Sequence, residues 1–117
     1  MLLPLLLATA VSVAPPAPAG IDNAPRWLTR PSDADLARVY PRRARMRGQG
    51  GRALMKCKVT ATGTMTACEL LSEEPAGAGF GQALLLMAPS FSMTPNLPDG
   101  QSAEGRSITI PFRFLIR

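Results

Sequence analysis

Residues 52–73 read RALMKCKVTATGTMTACELLSE, and this stretch decides the architecture. On its first limb, Ala53, Met55, Cys57 and Val59 share one face, with Leu54, Lys56 and Lys58 on the other. That is the two-residue period of a half-buried strand. Thr60-Ala61-Thr62-Gly63 is turn chemistry, with Gly63 supplying the positive φ that a tight hairpin needs. The second limb, from about Thr64 to Glu73, places Cys68 and Leu70 on one face and Glu69 and Leu71 on the other. The cysteines test this hairpin. If Thr62-Gly63 is a two-residue loop, paired residue numbers sum to 125, and 57 plus 68 meets that sum. A three-residue loop with a bulge at Gly63 shifts the pairing by one, and the bulge still allows the two cysteines to meet. A structural Cys57–Cys68 disulfide is therefore expected in an oxidising compartment. Lys56 and Lys58 would favour a thiolate, but the pair lacks the CxxC spacing of a redox centre.

Upstream, Ser32-Asp33-Ala34-Asp35 reads as a helix start, with Ser32 as N-cap and Asp35 where a capping box carries Glu or Gln. Leu36, Val39 and Tyr40 form its apolar face, Pro41 restarts a helix in its first turn, and Gly48, Gly50 and Gly51 end the Arg-rich turn that follows. Trp27 and Leu28 are expected to pin the lead-in, residues 20–31, to the domain surface. Downstream, Phe80, Ala83, Leu84, Met87 and Ala88 have the spacing of an amphipathic helix, which Pro89 closes. Residues 89–105 read as a long loop built from turn signals. Arg106 to Arg117 alternates again, with Ile108, Ile110, Phe112, Phe114 and Ile116 on one face. Pro111 inside this run predicts an edge strand, because proline cannot donate to a ladder. Helix, hairpin, helix and strand make an α+β chain.

Thirteen basic and eight acidic residues leave a net charge of +5. From Arg38 to Lys58 there are eight basic residues and no acid, and Arg38, Arg42, Arg43, Arg45 and Arg47 form a candidate anionic-surface patch. The absence of histidine removes the usual general base and most metal sites, so neither an enzyme nor a metal or cofactor site is expected. Few aromatics are available for stacking, which disfavours nucleic acid. Residues 1–14 are apolar for about the length of a signal-peptide core, short of the roughly 20 residues that a membrane-spanning helix needs. Ala17-Pro18-Ala19 has the small-x-small pattern of a cleavage site. The expected division is a signal peptide at 1–19, a lead-in at 20–31 and a periplasmic domain at 32–117, membrane-anchored if the signal stays uncleaved.

Tyr40-Pro41-Arg42-Arg43-Ala44 resembles the YPxxA start of the TonB C-terminal domain family. Gly63-Thr64-Met65, Pro75, Phe80 and Ala83 follow that family's hairpin, turn and second helix. Phe91 to Pro95 resembles its aromatic-x-x-x-Pro, and Asp99-Gly100 with Ile108 to Phe114 resembles its last strand. The similarity spans about residues 38–116. It implies a three-stranded antiparallel sheet with two main helices packed on one face. It also implies a partner, the TonB box of an outer-membrane TonB-dependent receptor, added as a strand beside the last β-strand. Because Pro111 argues that one side of this strand is unpaired, the residues expected at the docking edge are Arg106, Ser107, Thr109, Pro111, Arg113 and Leu115. The apolar N-terminal run is short for an anchor and no long Pro-rich spacer precedes the domain, so receptor binding is expected ahead of force transmission by this chain alone. A structural envelope protein holding peptidoglycan or another anionic polymer through its arginines is the alternative.

Overall fold

The structure, a computed structural model, describes residues 24–116. The expected signal peptide and its cleavage site lie outside the described residues, as do the start of the lead-in and Arg117. In chain order the elements are β1 (Trp27–Thr29), α1 (Asp33–Val39), α2 (Arg42–Met46), β2 (Gly51–Val59), β3 (Met65–Glu74), α3 (Phe80–Leu86), a 3-10 turn (Ala88–Ser90), β4 (Ser92–Met93) and β5 (Ser107–Phe114).

The helix starts follow from local chemistry. The Ser32 hydroxyl accepts from the Asp35 N–H at 3.1 Å and the Asp35 carboxylate accepts from the Ser32 N–H at 2.9 Å, a capping box closed by Asp. The Ser32 N–H, then its hydroxyl, then Arg38 hold the Asp35 carboxyl below its ordinary range. Pro41 caps α2 from just outside the helix rather than opening its first turn, and Gly48 follows at φ 64°. α3 has no side-chain cap of its own at Gly79. Glu73 of β3 serves instead, its carboxylate accepting from the N–H groups of Gly79 and Gly81 at 3.4 and 3.2 Å. A Cβ at Gly81 would strike Leu70 and that same carboxylate, so glycine sets how closely α3 approaches β3.

β2 is the middle strand of a three-stranded antiparallel sheet ordered β3-β2-β5. The helices cover one face. There Ala53, Met55 and Cys57 of β2 and Ile110 and Phe114 of β5 meet Phe80, Leu84 and Met87. Tyr40, Phe80 and Phe114 stack mutually, at centroid separations of 4.9 to 5.9 Å. Three short helices occupy this face, the first of the two expected main helices being split at Tyr40 and Pro41 into α1 and α2.

Three further features depart from the sequence reading. The lead-in is a strand: β1 pairs with β4 to form a second sheet, and Thr94 exchanges hydrogen bonds with Arg26. Trp27 does pin it, at 5.4 Å from Phe91, but Leu28 points outward at 61% exposure. The segment after α3 is not merely a loop, since Met93, Leu97 and Ala103 bury against Val59 as a second core at the hairpin end of the sheet. Finally, β5 stops at Phe114, which leaves Ile116 outside the strand and 42% exposed.

Candidate functional site

The hairpin turn is the three-residue version. Gly63 N–H donates to the Thr60 carbonyl and Thr60 N–H to the Thr64 carbonyl, with Gly63 at φ 91°. Val59 therefore faces Met65, a sum of 124, whereas Lys56 faces Glu69 and Met55 faces Leu70, a sum of 125. The shift happens between Lys56 and Lys58, where Ala67 adopts φ 51°. This bulge brings the cysteines together: Cys57 and Cys68 form a disulfide, their Cα atoms 4.0 Å apart. A second shift between Leu54 and Met55 moves the sum to 126, so Arg52 faces Glu74.

β5 has no such irregularity. It pairs with β2 from Gly51↔Phe114 to Lys58↔Ser107 without a shift. Just beyond, Val59 donates to the Arg106 carbonyl and accepts from the Gly105 N–H, so the main-chain groups of Val59 point toward this side. Antiparallel alternation carries that orientation down the strand. Cys57, Met55, Ala53 and Gly51 bond to Ile108, Ile110, Phe112 and Phe114. Ser107, Thr109, Pro111 and Arg113 form the outward row. Their carbonyls, and every N–H except the one that Pro111 lacks, point away from the sheet. Arg106 and Leu115, also expected at this site, flank the strand rather than belonging to it.

The side chains of the outward row lie on the face that the helices leave bare. There Leu54 and Pro111 sit between Arg52, Arg113, Ser72 and Glu74 along a shallow groove of about 530 Å³. Arg52 holds Glu74 through two nitrogens, at 2.6 and 2.7 Å. Sequence reasoning missed this pair, since finding it requires knowing of both bulges. The expected arginine patch is less uniform than its sequence. Arg38 is bound to Asp35 at 3.0 Å, and Arg45 donates to the Ala37 carbonyl while lying over the Tyr40 ring. Arg42, Arg43 and Arg47 are exposed. The patch and the outward row are separate surfaces.

This arrangement has known counterparts. The model of the family described as "Gram-negative bacterial TonB protein C-terminal" matches residues 37–116. The chain belongs to the TonB C-terminal family. The solution NMR structure of the Pseudomonas aeruginosa TonB C-terminal domain superposes with a TM-score of 0.56 at 26% identity. The superposition covers 83% of this chain and 91% of that domain. A Caulobacter vibrioides protein described as uncharacterized is 38% identical over 65 residues, which is 56% of this chain and 65% of that relative's length. The TonB-like α+β fold read from the motifs is thus the fold of the chain. β1 and β4 are additions that those motifs did not announce.

Proposed function

We propose that this chain is a non-enzymatic periplasmic binding domain that takes the TonB box of an outer-membrane TonB-dependent transporter as a fourth strand on the outer edge of β5. The carrying observation is the unshifted β2–β5 ladder with its outward row open. A strand can add only where successive peptide groups keep a regular spacing. The bulged β3 edge does not keep it. Membership of the TonB family supports the same partner and the envelope location.

The test is a titration of isotopically labelled protein with a TonB-box peptide, followed by amide NMR. Ser107, Thr109 and Arg113 should shift most and gain protection from exchange. Thr109→Pro removes a second outward donor and should weaken the peptide roughly five- to tenfold while leaving the melting temperature nearly unchanged. Shifts centred on Arg42, Arg43 and Arg47 that vanish at moderate salt would move the site to the arginine patch and favour an anionic polymer such as peptidoglycan.

A further inference from the structure

We propose that Pro111 prevents the β5 edge from pairing with a second copy of this chain and so keeps it free for a strand of different sequence. The proposal shares one premise with the docking reading, that the outward row of β5 is the usable edge. Two β5 strands meeting about a two-fold axis would run antiparallel. Any register overlapping by three or more of the outward positions Ser107, Thr109, Pro111 and Arg113 then brings in the proline of both copies. At each proline an opposing carbonyl meets a ring in place of an N–H. A foreign strand meets one such gap; a second copy meets two.

Charge acts in the same direction. Arg113 stands in the outward row, with Arg52, Lys56 and Lys58 beside that row on β2. The acids of this face, Glu69 and Glu74, lie on the far strand, and Glu74 is taken by Arg52. Joining two copies through β5 would set two basic margins side by side, whereas a neutral or acidic foreign strand meets no repulsion. β3 is guarded from edge pairing by its bulges; β5, which has none, is guarded by one proline and the basic margin beside it.

Sedimentation velocity of the purified protein over a wide concentration range tests this. Wild type should remain monomeric. Pro111→Thr restores the donor in both copies and should strengthen self-association roughly 25- to 100-fold, at five- to tenfold for each backbone hydrogen bond. Pro111→Val should behave alike and serves if the threonine variant misfolds by circular dichroism. Thr109→Pro combined with Pro111→Thr moves the gap to the neighbouring outward position and should restore the monomer. The proposal fails if both single variants fold and stay as monomeric as wild type, or if wild type already pairs through β5. Variants that dimerise in a protein blind to TonB-box peptide would sink the docking reading alone. Folded, monomeric variants that still bind peptide would sink this one alone.

Discussion

The two outer strands of the sheet face the same hazard, a row of unpaired main-chain groups, and meet it differently. β3 is shifted at two places, bridged to β2 by Cys57–Cys68, and engaged through Glu73 with the start of α3. β5 is straight, unbridged and held by its side chains: Ile110 and Phe114 are buried under the helices while the alternate row stays outside. Irregular backbone disqualifies an edge as a template, whereas regular backbone with an apolar inner row preserves one. An edge's availability thus depends on register more than on exposure.

The contrast can be broken most forcefully from the inner row of β5. Phe114→Ala removes a fully buried ring from the Tyr40–Phe80 cluster and should destabilise the fold by about 3–5 kcal/mol. Denaturant unfolding measures this, and a loss as small as that of an outward-row variant would mean that β5 is not anchored as described. Next in size is the bridge. Replacing Cys57 and Cys68 together with Ala releases a link spanning 11 positions, which should cost about 3 kcal/mol, or roughly 12–24 °C of melting temperature. Peptide binding at β5 should survive in the folded fraction, because the bridge joins β2 to the opposite edge. Loss of binding in the folded variant would show that the two edges are coupled. The smallest effect sharpens the comparison. Ala67 holds φ 51°, where glycine is at ease, so Ala67→Gly should stabilise by about 0.5–1 kcal/mol. Calorimetry that finds it destabilising would argue against a left-handed bulge in β3.

How much of this was legible depended on whether a signal repeats. The alternation of β2 and β5 and the spacing of α3 span eight residues or so, and each was readable. The cysteine pair was readable too, although a two-residue loop and a bulged three-residue loop satisfied the same spacing. The chain uses the longer loop and recovers the pairing at Ala67, a residue with nothing in its identity to announce positive φ. β1 and β4 were not legible, because strands of three and two residues have no period to detect. Leu28 was misplaced for the same reason: without a known partner strand, its inward and outward faces are interchangeable. The outward row of β5 was foreshadowed by Pro111, but its orientation needed the Val59 hydrogen bonds.

Tight turns are the usual first choice for grafting an epitope or a label, and at the Thr60–Thr64 hairpin that choice would be poor. Gly63 accepts from the Met93 N–H at 2.8 Å, a Cβ there would collide with the Met93 carbonyl, and Thr64 bridges to Ser92. The turn is a joint between the two sheets, and an insertion would pry them apart. Pro98, Asp99 and Gly100 stand exposed, with open space around the Gly100 Cα. A reporter inserted there would leave both β5 and the hairpin joint undisturbed.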